Sequence, residues 1–125
     1  MLIIKPIQEK SRQEQICAAC EVTYRPETFA YSAYDDDTLI GVCQFTMGNG
    51  KAELTDLKTV PGTDDEEALF IMARAMMSFV DKCAIPTLST TDTASDPALL
   101  KKLGFTSNKA TLSQIFKCRD AGDAT

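Results

Sequence analysis

Lys51-Ala52-Glu53-Leu54-Thr55-Asp56-Leu57-Lys58-Thr59-Val60, followed by Pro61-Gly62-Thr63-Asp64-Asp65-Glu66-Glu67 and then Ala68-Leu69-Phe70-Ile71-Met72-Ala73, is the stretch on which the fold turns. Its first ten residues alternate as a strand does, with Ala52 and Leu54 apolar, and the phase slips near Asp56 before Leu57, which predicts a β-bulge. Pro61-Gly62 ends the strand. Thr63 has the chemistry of a helix N-cap, and Glu66 three residues later would complete a capping box. From there to Cys83 the residues Leu69, Met72, Ala73, Met76, Phe79, Val80 and Cys83 recur at helical spacing. Phe70, Ile71 and Met77 widen the stripe, so the helix should be covered on most sides. Pro86 to Thr90 reads as a short strand, and a right-handed crossover would lay it parallel to the strand before the helix.

Working outward, Leu2 to Ile7 is a strand with Pro6 near its end, and Glu9 to about Val22 turns helical with Ile16, Cys17 and Cys20 on one side. Ser11 is a candidate cap for that helix. Phe29 to Tyr34 and Thr38 to Met47 form a hairpin around Asp35-Asp36-Asp37, and Gly48-Asn49-Gly50 makes a second hairpin with the strand beginning at Lys51. Asp96-Pro97 opens a small helix through Leu103, stopped by Gly104, after which Phe105 returns to the core. Thr111 to Cys118 is expected to be a last strand, with Leu112, Gln114 and Phe116 alternating against Ser113 and Ile115. The order is β-α-β-β-β-α-β-α-β, an α/β (α+β) domain over residues 1–118, and residues 119–125 read as a frayed tail.

The chain has 125 residues, enough for one core and too few for two ordinary domains. Its net charge of −5, with no His, gives no positive field for a polyphosphate, so nucleic acid is not expected as a partner. No apolar run approaches a membrane span, so no membrane association is expected and a cytoplasmic location follows by default. Five cysteines in apolar patterns suit reduced thiols that behave as small hydrophobes.

Three placements in this order carry a family resemblance. Leu99-Leu100-Lys101-Lys102-Leu103-Gly104-Phe105 resembles the end of the last helix in the GCN5-related N-acetyltransferase (GNAT) superfamily, usually Leu-Tyr-x-x-x-Gly-Phe. Thr38-Leu39-Ile40-Gly41-Val42-Cys43-Gln44-Phe45 resembles its strand after an acidic turn. Leu57-Lys58-Thr59-Val60-Pro61 stands where that family's central strand leads into its pyrophosphate loop. The resemblance covers nearly the whole chain, Met1 to about Cys118, and implies a mixed, mostly antiparallel sheet flanked by helices. It implies acetyl-CoA or another acyl-CoA as co-substrate, in a V-shaped gap between the strand ending at Val60 and the strand near Leu88. Backbone groups of Leu57, Lys58, Thr59 and Val60 would pair with the pantetheine, and Gly62 and Thr63 would border the diphosphate. A small-molecule or protein amine would attack the thioester directly, with Glu53 as the candidate base and Asp56 the second choice. The competing reading makes both carboxylates exposed polar residues on a half-buried strand.

The sequence departs from the family pattern at three positions. Asp64 and Glu66 fall where glycines let backbone amides approach the diphosphate, and Leu100 replaces the Tyr that protonates the leaving thiolate. Two unit charges at ~4 Å in surroundings of effective dielectric about 20 repel by roughly 4 kcal/mol, about three decades of affinity. Lys58 or Arg74 could supply compensating charge. The alternative is therefore a non-catalytic member of the fold that binds another small molecule or a protein partner.

Other motifs read more simply. Cys17-Ala-Ala-Cys20 has redox or metal spacing but no second pair and no His, so no metal is expected; Asp35-Asp36-Asp37 lacks the rest of a calcium loop. Tyr24, Tyr31 and Tyr34 are core or cross-strand packing before they are an acceptor pocket. Met72, Met76 and Met77 are core filler, and the wide apolar face of their helix leaves room for a homodimer.

Overall fold

A computed structural model describes residues 1–116, and the expected tail at 119–125, with Cys118, lies outside the described residues. The chain runs β1 (Leu2–Pro6), α1 (Lys10–Ala19), β2 (Phe29–Asp35), β3 (Thr38–Gly48), β4 (Lys51–Thr59), α2 (Glu66–Lys82), β5 (Thr87–Thr90), α3 (Pro97–Leu103), β6 (Lys109–Thr111) and α4 (Leu112–Ile115). The six strands form one sheet in chain order, antiparallel at every joint except β4 with β5, which is parallel as the crossover requires.

Local chemistry sets the joints. Asn49 (φ 54°) and Gly50 (φ 75°) turn the β3–β4 hairpin, the left-handed pair that fits the twist of its strands. Gly41 is required by packing: a Cβ there would lie 2.6 Å from the Lys58 carbonyl oxygen and 3.1 Å from Leu69. That close approach lets α2 settle on the β3–β4 pair. Gly104 (φ 108°) ends α3 in the left-handed conformation.

The two faces of the sheet are unequal. α2 buries Ala68, Leu69, Met72, Ala73, Met76, Met77 and Val80 against Phe45, Leu54, Leu57 and Leu88, and α3 adds Leu99, Leu100 and Leu103 to this main core. α1 covers the other face with a smaller cluster, Ile16, Cys17 and Cys20 on Val42. The apolar stripe of α2 is narrower than its sequence suggests: Ile71 and Phe79 are 40% and 38% exposed, and Cys83 is exposed.

Four local expectations are corrected. The cap of α2 is Asp65, whose Oδ1 accepts from Ala68 N–H at 3.0 Å, so Thr63 and Glu66 form no capping box. Thr63 lies two residues too early, its N–H turned back to the Val60 carbonyl and its carbonyl accepting from Thr59 Oγ1. α1 starts after Glu9 with no side-chain cap and ends at Ala19, short of Val22, because Glu21 takes a positive φ of 56°. The last strand is only Lys109–Thr111. Leu112–Ile115 coils into one helical turn, so that Leu112 is buried and Ile115 packs under Gly104. Among the described residues no helix is long and apolar enough to cross a membrane.

Candidate functional site

β4 carries the site, and its bulge positions it. Gln44 pairs with Asp56 and Phe45 with Leu54, so Thr55 is the extra residue, and its Oγ1 donates back to the Gln44 carbonyl at 3.0 Å. The slip rotates the strand so that Asp56 faces α1 while Leu57 stays in the main core. β4 and β5 pair only from Ala52–Leu88 to Leu54–Thr90; beyond that point they separate. The resemblance implies a gap at this point, between the end of β4 and β5.

The gap is filled by the chain itself. Thr91 N–H donates to the Leu54 carbonyl at 3.4 Å, a turn brings Ala94 N–H to the Thr91 carbonyl, and Leu57 N–H donates to the Ala94 carbonyl at 2.8 Å. Ala94 is fully buried and Ser95 nearly so. Pro97 begins α3 with Asp96 as its cap, which keeps residues 91–95 out of the helix and free to line β4. What remains open between α2 and α3 is a cavity of about 140 Å³ lined by Thr59, Asp64, Asp65, Glu66, Ser95 and Leu99, among others. Lys102 of α3 spans it to Glu66 of α2 at 2.6 Å.

Of the residues proposed for an acyl donor, then, Leu57 N–H faces the gap and binds a carbonyl. Val60 N–H is turned away, bonded to the Ile40 carbonyl at 2.8 Å. Gly62 holds φ 85° in the turn before α2, with open space where its Cβ would be. Lys58 is exposed. Leu100 is buried, in the place expected for a proton-donating Tyr.

The two candidate bases stand in different surroundings. Glu53 is half-buried one register step before the gap, opposite Ser89, and shares an open groove with Glu27 and Thr46. Asp56 is buried and held: its Oδ2 accepts from Arg25 Nε and Gln44 Nε2, each at 2.8 Å. Gln44 is the hub of a buried network missed in the sequence reading. Its Oε1 accepts from Gln13 Nε2 (2.9 Å), Arg25 N–H (3.1 Å) and Thr28 Oγ1 (3.3 Å), and its Nε2 also donates to the Thr23 carbonyl at 2.9 Å. The sequence signal was a glutamine inside the apolar run Val42-Cys43-Gln44-Phe45. The network ties residues 23–28, which have no regular structure of their own, to the back of the bulge.

Cys17 and Cys20 are buried, and burial pushes each thiol from the ordinary 9.0 up to about 11. Thiols held neutral in this way are poor nucleophiles and poor metal ligands. Among the described residues no cluster of His, Cys, Asp and Glu could hold a metal ion.

Solved structures share this architecture. The PaiA N-acetyltransferase of Thermoplasma acidophilum, in complex with coenzyme A, superposes with a TM-score of 0.69 over 89% of this chain and 99% of its own, at 13% identity. A GNAT family acetyltransferase of Brucella melitensis, in complex with acetyl-CoA, gives 0.66 over 87% and 85% at 13% identity. An IAA acetyltransferase of Bacillus cereus gives 0.63 over 85% and 77% at 17% identity. The fold is that of the GCN5-related N-acetyltransferases. No protein-family model matches the chain, and no curated protein does.

Proposed function

We propose that this chain is an acyl-CoA-dependent N-acyltransferase acting on an amine, with its donor gap closed in the ligand-free state. The observation that carries this reading is the Leu57 N–H, which faces the gap past the last β4–β5 pair and binds an amide carbonyl there. The Ala94 carbonyl stands in for a pantetheine amide carbonyl, so the donor chemistry of the edge fits.

Magnitudes support closure as a modest barrier. One neutral hydrogen bond contributes about 1 kcal/mol net, and an exposed ion pair such as Lys102–Glu66 at most about 1 kcal/mol. Opening therefore costs about 2 kcal/mol, roughly 30-fold in affinity. The charge objection is also smaller than the sequence suggests. Asp65 is turned onto Ala68 N–H and Glu66 onto Lys102, which leaves Asp64 and Glu67 as the unpaired carboxylates of that turn.

Acyl-CoA would supply an activated acyl group as a thioester, from which an amine takes the acyl carbon as the C–S bond breaks. Glu53, with no hydrogen bond from the described residues, is free to take the ammonium proton. Asp56, doubly held, acts by fixing residues 23–28 against the bulge. Leu100 donates no proton, so the thiol leaves as thiolate or takes its proton from water.

A second reading is favoured by the acidic cavity of only about 140 Å³ at the start of α2: a non-catalytic protein that uses the fold to bind another small molecule or a protein partner. Thermal unfolding with acetyl-CoA and CoA separates the two. Saturation at about 100 times the dissociation constant adds roughly 2.7 kcal/mol of stability. No shift at millimolar acetyl-CoA overturns the acyltransferase reading, and a shift without thiol release from acetyl-CoA across a panel of amines favours the second.

A further inference from the structure

On the α2 face of the sheet, towards the C-terminal end of that helix, an aromatic-walled groove of about 540 Å³ opens beside β2. Phe45, fully buried, forms its floor. Around it stand Phe29 (ring centroids 5.8 Å apart), Tyr31 (5.9 Å, edge-on) and Phe79 (6.3 Å, edge-on), with Ile7 completing the apolar wall. The groove is separate from the donor gap: it meets α2 at Phe79, near the C-terminal end of the helix, whereas the cavity of the gap is lined by Asp65, Glu66 and Leu69 at its start.

Two observations point to a ligand and to its charge. Phe29 is 47% and Phe79 38% exposed, an arrangement of large rings around a concavity of a size, within about 300–1,000 Å³, that small molecules fill. At the rim stands Lys10, whose ammonium donates to the Thr28 carbonyl and to Gln13 Oε1 (3.2 Å), both neutral acceptors. An ammonium has three donors, so one remains, and among the described residues no carboxylate pairs with it. Its position is fixed while its charge is uncompensated.

We propose that this groove binds an amphiphilic monocarboxylate, with its apolar body on Phe45 between Phe29 and Phe79 and its carboxylate on Lys10. A second copy of the chain fits less well. A stable dimer buries about 800 Å² on each partner, and among the described residues the remaining exposed large hydrophobics are Ile71, two turns away along α2, Ile3 on β1 and Met1 just before it. Binding here does not depend on acyl transfer, since the groove and the cavity of the donor gap share no lining residue and meet opposite ends of α2.

The test is an NMR titration of the full chain with 4-phenylbutyrate and with its uncharged amide, following the ring signals of Phe29, Tyr31 and Phe79. The expected result is saturable shifts with both probes, with the acid about fivefold tighter than the amide, as an exposed ion pair provides. Lys10→Met should abolish that preference while amide binding persists, which also shows that the variant is folded. No saturable shift at millimolar probe overturns the proposal, as does an acid preference that survives Lys10→Met. Sedimentation at increasing protein concentration gives the remaining outcome: a dimer that Phe79→Ser dissolves would mean that a second copy covers the groove, and would equally overturn it.

Discussion

Leu57 and Ala94 are joined by a 2.8 Å backbone hydrogen bond at the point where β4 and β5 have ceased to pair. Because Ala94 is fully buried, a longer side chain there has no room. Ala94→Gln should expel residues 91–95 and lower stability by about 1–3 kcal/mol, the usual effect of overpacking. If closure is the barrier to acyl-CoA, the same substitution should tighten acetyl-CoA binding by up to roughly 30-fold in calorimetry. Unchanged or weaker binding would show that closure is not what limits it.

The start of α2 allows charge and capping to be separated. Asp65→Ala removes the acceptor of Ala68 N–H and should cost about 1 kcal/mol in urea unfolding. Asp64→Gly with Glu66→Gly should cost little stability, since the Glu66–Lys102 pair is 44% and 62% exposed on its two sides, while strengthening any acetyl-CoA thermal shift. A diminished shift would mean that these carboxylates do not obstruct the diphosphate.

Gln44→Leu tests the buried network. The substitution keeps volume but strands Arg25 N–H and the Thr23 carbonyl and removes one bond to Asp56, while Gln13 and Thr28 keep their bonds to each other and to the Arg25 carbonyl. Leaving buried polar groups unpaired costs about 1–3 kcal/mol each where water cannot reach them, so a loss of at least about 2 kcal/mol is expected by chemical denaturation. A loss under half of that would mean that residues 23–28 are not held by this hub.

Cys17 and Cys20 give a pH signature. Their folded pKa values, about 11, lie above the ordinary 9.0, so the folded state binds more protons between those values. Their contribution to stability is fully present below about pH 9 and is lost as the pH rises through about 11. Urea midpoints should fall across that window, and Cys17→Ala with Cys20→Ala should flatten the fall. At pH 8 a thiol reagent should modify exposed Cys83 well before buried Cys17, Cys20 and Cys43.

Much of this architecture was legible in the chain because it is written in local chemistry. Asn49-Gly50 permits one kind of turn, the phase slip before Leu57 requires an extra residue, and the spacing Leu69, Met72, Met76, Val80 admits only a helix with one buried side. The errors also have local causes. Thr63 and Asp65 are both good caps, and the choice fell to the residue that the turn at Gly62 brought next to Ala68 N–H. Leu112 and Phe116 fit a strand and a helical turn equally, and Gly104 supplied the space under which Ile115 packs.

The gap between β4 and β5 shows the division most clearly. By itself the sequence determined that a strand would bulge near Asp56, break at Pro61 and cross over through α2 to a parallel β5, because bulges, breaks and amphipathic periods are properties of neighbouring residues. That Ala94 closes the gap, that Lys102 meets Glu66, and that Gln44 joins Gln13 to Asp56 were decided only by the tertiary structure. These contacts join residues 12 to 37 positions apart, and no local preference encodes which backbone donor a distant carbonyl will find once the sheet has closed around it.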